Sequence, residues 1–236
     1  ADKIIAVSEA TKKDIISLLS IDANKITAIL NGGGYGEYIT PSDAECEKIK
    51  KRFEIGAEPF FAYTGNIEPR KNIVTILKAF EIACDRLDNA VSLVLAGKLG
   101  WRTQPIIEAI EHNKYKDRIY LPGYISEDEK KYLMHDACAF VFPSNYEGFG
   151  IPIVEAMSCG GVVITADNSS LKEVGGTTAF YVQKTDEVVQ LADRMVQCFN
   201  LSDAERKKLM ADGKSWASQF SWEKCAQETQ AVLEQG

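Results

Sequence analysis

Two glutamates separated by seven residues, Glu147 and Glu155, bracket a run of glycines and apolar residues in SNYEGFGIPIVEAMSCG (144–160). A carboxylate accepts two hydrogen bonds from a vicinal diol, so such a pair suits ribose or sugar hydroxyls. Gly148 and Gly150, on either side of Phe149, leave the backbone free to approach a ligand. Pro152 fits the first turn of a helix that Gly160 ends. The start of that helix, from Gly150 through Ile151, would aim N–H groups and the positive dipole end at a phosphate, with Glu155 in the first turn. A second loop, GNIEPRKN (65–72), opens on Gly65 and Asn66 and carries Arg70 and Lys71 just before a helical stretch. Two cations at a helix start are unfavourable unless an anion is present, which points to a diphosphate. Lys98, after Gly97, can join the same patch. Gly123-Tyr124-Ile125 can hold a base through backbone groups and apolar contact. The plainer alternatives are that Glu147 and Glu155 complement the helix dipole and that Arg70 and Lys71 are solvated surface charges.

These loops need a frame. From Pro59 onward, short apolar runs alternate with amphipathic stretches. The runs are PFFAYTG (59–65), AVSLVLAG (90–97), RIYLPG (118–123), ACAFVFP (137–143), GGVVITA (160–166) and TAFYVQ (178–183). Continuous apolar runs suit strands buried on both faces. Between them, Ile73, Ile76, Leu77, Phe80 and Ala83 recur at helical spacing, and 103–113, 126–136 and 151–158 read as helices. Alternation of β and α predicts an α/β domain, a Rossmann-like doubly wound parallel sheet. With strand order 3-2-1-4-5-6, run 59–65 neighbours run 137–143, and the two polar loops face each other at the switch point.

Ahead of this domain the sequence predicts a strand (Lys3 to Val7), a helix (Glu9 to Leu19) capped by Ser8, and a strand (Lys25 to Leu30) ending in Asn31-Gly32-Gly33-Gly34. The start reads as an interior segment of a longer protein. Three units are expected: 1–40 as a remnant of another domain with its linker, 41–220 as the Rossmann-like domain, and 221–236 as a closing helix. That helix carries Trp222, Cys225, Ala226, Thr229, Val232 and Leu233 as an apolar stripe. It would fold back on the opening segment, dock on a second copy, or stay exposed.

The formal net charge of -7 argues against a nucleic-acid groove and leaves any anionic ligand to a few local cations or backbone N–H groups. There is no apolar stretch long enough for a membrane span. None of the six cysteines forms a C-x-x-C pair, which fits free buried thiols in a reducing cytosol. No Asp-x-Asp triplet occurs, and His112 and His135 sit on predicted helices, so no metal site is expected.

The motif FPSNYEGFGIPIVEAMSCG resembles the E-x7-E signature of family 4 retaining glycosyltransferases, which have the GT-B fold. GNIEPRKN resembles that family's phosphate loop. SSLKEVGG (169–176), FSWEKCA (220–226), GKLGW (97–101) and AVSEATKKDI leading to NGG (31–33) are similar to it as well. The likeness aligns with the family's C-terminal, nucleotide-sugar-binding half. It implies that Glu155 binds the ribose, that Glu147 with the backbone of Gly148, Phe149 and Gly150 holds donor sugar and phosphates, and that Lys71 contacts the diphosphate. Many relatives carry Arg where this chain has Asn66, so Arg70 would share the leaving-group charge. The usual Gly-x-Pro-Val becomes Gly160-Gly161-Val162-Val163.

The resemblance further implies transfer of a hexose, with GDP-mannose the first donor to test, to a glycan or lipid-linked glycan of a surface polysaccharide. Anomeric configuration would be retained, with no metal and no cofactor beyond the nucleoside-diphosphate sugar. The acceptor-binding N-terminal domain would be missing here, and the chain would self-associate. The expected place is the cytoplasm, including the inner face of the membrane. A nucleotide-sugar-binding module inactive by itself and an epimerase-like enzyme are the alternatives.

Overall fold

The computed structural model describes residues 2–35, 41–184 and 186–234; the expected domain boundary at residue 40 lies outside them. A short parallel pair opens the chain: β1 (Ile4–Ala6), α1 (Glu9–Leu19) and β2 (Ile26–Ala28). Ser8 caps α1, its hydroxyl accepting from the Thr11 N–H. Helix α2 (Asp43–Phe53) leads into β3 (Phe60–Thr64), α3 (Ile73–Arg86), β4 (Ser92–Ala96), α4 (Gln104–Glu111), β5 (Ile119–Gly123), α5 (Glu127–Asp136) and β6 (Phe140–Phe142). Then come α6 (Ile151–Ser158), β7 (Val163–Ala166), α7 (Leu171–Gly175), β8 (Phe180–Val182), α8 (Val188–Phe199), α9 (Asp203–Ala217) and α10 (Trp222–Glu234).

The six strands from β3 to β8 form one parallel sheet in the order β5-β4-β3-β6-β7-β8. This is the predicted doubly wound sheet, with all six apolar runs as its strands. Every residue of β3 and β4 is buried, because helices cover both faces and no side of the pleat meets water. One core layer packs Ile73, Ile76, Leu77, Phe80 and Ala83 of α3 under the sheet, and α8 lies beside α3. Phe80 is fully buried, so truncating it to alanine would cost about 3–5 kcal/mol. The other face is covered by Phe53, Tyr132 and Leu133 from α2 and α5.

The closing helix folds back on the opening segment. The Gly33 N–H donates to the Phe220 carbonyl at 3.1 Å. The Trp222 ring lies where a side chain on Gly32 would project. Val232 and Leu233 border a small cavity with Lys3 and Ile5 of the first strand segment. Val232 is buried there, while Trp222 and Leu233 stay exposed, so the predicted stripe is only partly covered.

Candidate functional site

Strands β3 and β6 are sheet neighbours, paired through Ala62 and Phe140. Their carboxyl ends release the loops 65–72 and 144–150 side by side, and the loops are bonded together. The Asn145 N–H donates to the Arg70 carbonyl at 2.9 Å, and the Arg70 guanidinium donates back to the Tyr146 carbonyl at 2.9 Å. The first loop is also stitched to the loop after β4: the Gly65 N–H reaches the Ala96 carbonyl at 3.0 Å and the Ile67 N–H the Lys98 carbonyl at 2.9 Å. Gly97, at φ +147°, passes so near that a Cβ there would stand 1.9 Å from the Gly65 carbonyl oxygen. Only glycine fits that crossing.

Arg70 and Lys71 do not begin α3. They end a 3-10 turn, Pro69–Lys71, and Asn72 in the left-handed region intervenes before the helix. Nor are they unmatched. Lys71 Nζ lies 2.6 Å from Glu147 Oε1, and Arg70 bridges Glu147 Oε2 and Glu68 Oε1, each at 3.0 Å. The expectation that this charge calls for an outside anion is therefore corrected: the protein supplies one itself. Partial burial works against the Arg70 charge, but hydrogen bonding and attraction from Glu147 and Glu68 outweigh it and raise the Arg70 pKa. The Lys71 ammonium also faces the Phe142 ring, 4.9 Å from its centroid.

The loop carrying Glu147 is held from three directions. The Gly148 carbonyl accepts from the hydroxyls of Ser8 at 2.7 Å and Thr11 at 3.0 Å, which tie it to α1. The Ser170 hydroxyl serves the Glu147 and Phe149 carbonyls, and the Ser169 hydroxyl accepts from the Glu147 N–H. The Phe149 side chain is buried edge-on against Phe220, 5.7 Å between centroids, so only its backbone can face a ligand. Gly150, at φ +109°, turns the chain into α6, whose first residue is Ile151. Glu155 is the fifth residue of α6, just past the first turn in which the sequence places it. Its carboxylate meets Lys130 Nζ of α5 at 3.1 Å. Lys130 was not singled out from the sequence; its spacing signals only an i,i+3 pair with Glu127, and no pattern links it to a residue twenty-five positions on.

Gly123, Tyr124 and Lys98 come together at the ends of β4 and β5. The Gly97 N–H donates to the Gly123 carbonyl at 2.8 Å, and Lys98 Nζ lies 5.3 Å from the Tyr124 ring centroid. The Tyr124 ring is 71% exposed, but its carbonyl is taken by Arg52 at 3.2 Å and Ile125 is buried in the core. Apolar contact with a base would thus come from Tyr124 and not from Ile125. Asn66 stands at the turn, its carbonyl accepting from the Tyr63 hydroxyl at 2.8 Å. The structure so gathers Gly65, Asn66, Arg70, Lys71 and Glu147 to Gly150 at one seam, while Glu155 pairs with Lys130 between α6 and α5.

The model of glycosyl transferases group 1 matches residues 45–216. The chain is 33% identical over 229 residues to the O-antigen chain mannosyltransferase B of Escherichia coli, covering 97% of this chain and 59% of that protein. It is 31% identical over 193 residues to the O-antigen chain mannosyltransferase RfbU of Salmonella typhimurium, covering 78% of this chain and 47% of that protein. The chain thus spans about half the length of these relatives. In fold it is similar to a glycosyltransferase from Rickettsia africae, with a TM-score of 0.88 at 19% identity over 99% of this chain and 63% of that one. It is also similar to Anabaena Alr3699/HepE, solved with UDP and glucose, with a TM-score of 0.86 at 21% identity over 100% of this chain and 64% of that one.

Proposed function

Because the chain belongs to the group 1 glycosyl transferases, we propose that it is the donor-binding part of a retaining hexosyltransferase of surface-polysaccharide synthesis. The observation that carries this reading is the meeting of Arg70, Lys71 and Glu147 where β3 and β6 end. A diphosphate entering there finds two cations and the start of α6. Glu147 then turns from Lys71 to the hydroxyls of the donor sugar, and Glu155 accepts from the ribose diol. The bond from the anomeric carbon to the diphosphate oxygen breaks, and a bond to the acceptor oxygen forms on the same face. The acceptor proton passes to the departing phosphate oxygen. Lys71, Arg70 and the helix start stabilise the charge that collects on the leaving group, which needs no metal ion.

The names of the relatives favour mannose as the sugar and an O-antigen-type glycan, lipid-linked or free, as acceptor. Acceptor contacts are proposed to come from residues beyond these 236, as the chain spans 59% of the mannosyltransferase B relative. Among the described residues no helix is long and apolar enough to cross a membrane. The exposed Trp222 and Leu233 support self-association of this chain, which light scattering at rising concentration would test. The deciding experiment for function is a thermal-shift and turnover series with GDP-mannose, UDP-glucose and the bare nucleoside diphosphates. Ligand-induced stabilisation, with release of nucleoside diphosphate only when acceptor and the full-length protein are present, supports transfer. Stabilisation without any turnover by full-length protein would leave a binding module, and interconversion of sugars without release would mean an epimerase-like enzyme.

A further inference from the structure

Helix α5 presents Lys130 to the flank of α6, where its ammonium is shared between two carboxylates. Nζ lies 3.1 Å from Glu155 Oε1 and 3.0 Å from Glu127 Oε2. The side chains of Lys130 and Glu155 are only 19% and 17% exposed, so water competes weakly for either. The Tyr35 ring approaches the same ammonium, 5.4 Å from its centroid, and the Tyr35 hydroxyl donates to Glu127 at 2.8 Å. Lys130 is therefore fixed by Glu127, the Tyr35 ring and Glu155 together. Tyr35 is itself anchored on α6, because its N–H donates to the Ser158 hydroxyl at 2.9 Å and that hydroxyl donates to the Glu155 carbonyl at 2.8 Å.

A glutamate on a helix side has several rotamers of similar energy, and fixing one costs entropy at the moment a ligand binds. An ammonium already bonded to one carboxylate oxygen selects the rotamer beforehand and leaves the other oxygen to meet a diol. Resting on the reading of Glu155 as the ribose ligand, we propose that Lys130 is the positioning residue of Glu155 and sets the preference of this chain for ribose hydroxyls. Tyr35 and Glu127 hold Lys130 in turn. The ligand chemistry is the 2′,3′-diol of a nucleoside diphosphate.

Calorimetric titration of the chain with GDP, UDP and ADP, each beside its 2′,3′-dideoxy counterpart, tests this. For whichever base binds, the wild-type chain is expected to favour the ribose form by about tenfold or more, the span of a charge-assisted hydrogen bond. Glu155→Gln should abolish that preference, and Lys130→Met should cut it below about threefold. Lys130→Arg, which keeps the cation, should retain most of it. The ratio is taken within each variant, so a smaller folded fraction lowers both affinities alike and leaves it unmoved. Loss of preference in Glu155→Gln but not in Lys130→Met or Lys130→Gln overturns the role of Lys130 alone. An unchanged preference in Glu155→Gln overturns the ribose assignment and this proposal with it, and no binding of any of the three overturns the donor site as a whole.

Discussion

Lys71 Nζ lies 2.6 Å from Glu147 Oε1, across the seam between the loops that follow β3 and β6. Both side chains are 12% exposed, so this is a pair that water screens poorly. On the proposed function, a phosphate arriving at Lys71 would compete with a carboxylate already in place. Binding at this seam would then be an exchange of one anion for another, leaving the displaced Glu147 to accept from something else.

That exchange separates two variants. Lys71→Met removes the phosphate's partner, and nucleoside diphosphate affinity should fall at least about tenfold. Glu147→Gln removes the competitor, so bare nucleoside diphosphate should bind as well as before or roughly threefold more tightly, while transfer by the full-length protein is lost. Isothermal titration of both variants gives the sign. Weaker nucleoside diphosphate binding in Glu147→Gln would contradict the competition.

Metal should be dispensable. With Arg70, Lys71 and the start of α6 as the counter-charge, a molar excess of chelator should leave nucleoside diphosphate affinity within about twofold. Titration with and without chelator is the measurement. A large loss restored by magnesium or manganese would move the charge stabilisation to a metal ion.

The crossing of Gly97 over Gly65 should be the most sensitive backbone point of the site. Gly97→Ala meets both a positive φ and a carbonyl oxygen at 1.9 Å, and should cost about 2–5 kcal/mol. Gly123→Ala has open space around its Cβ at φ +73° and should cost only about 1–2 kcal/mol. Urea midpoints of the two variants compare them, and equal destabilisation would show that the contact with Gly65 relaxes freely.

Burial pushes the carboxyl of Asp136, at the end of α5, above its ordinary value, and the nearby positive charge of His135 and Lys50 only partly opposes this. A folded pKa above the unfolded one means that this group favours folding most when protonated. The contribution is complete below the unfolded value and is lost as pH rises through the folded one. The melting-temperature difference between Asp136→Asn and wild type should therefore become more positive from about pH 4 to about pH 7.5. A difference that is flat or falls with pH would contradict the burial argument.

The sheet was legible because β3, β4 and β6 are buried on both faces, which writes a strand as an unbroken apolar run. Strand order followed from the switch-point rule, which brought Ala62 beside Phe140. The loops were legible by residue type, through Gly148, Gly150, Arg70 and Lys71. Their pairings were not. Glu147 contacts Lys71 across seventy-odd residues and Glu155 meets Lys130 from another helix, and neither is encoded by local spacing. The bounds of α6 matched the expected 151–158, but counting from Ile151 makes Glu155 the fifth residue, just past the first turn in which it was expected.

The pairing of β3 with β6 has a consequence for how the chain is made. Roughly 75 residues lie between the end of one strand and the start of the other, which a ribosome takes about 4–15 s to add. Through that interval β4 can pair with one edge of β3, while the other edge, on a strand that the finished fold buries completely, has no neighbour. A nascent chain paused there would offer an open template for strand addition by another copy. The edge of β3 that later pairs with β6 is thus, during synthesis, a stretch in need of shielding by a chaperone.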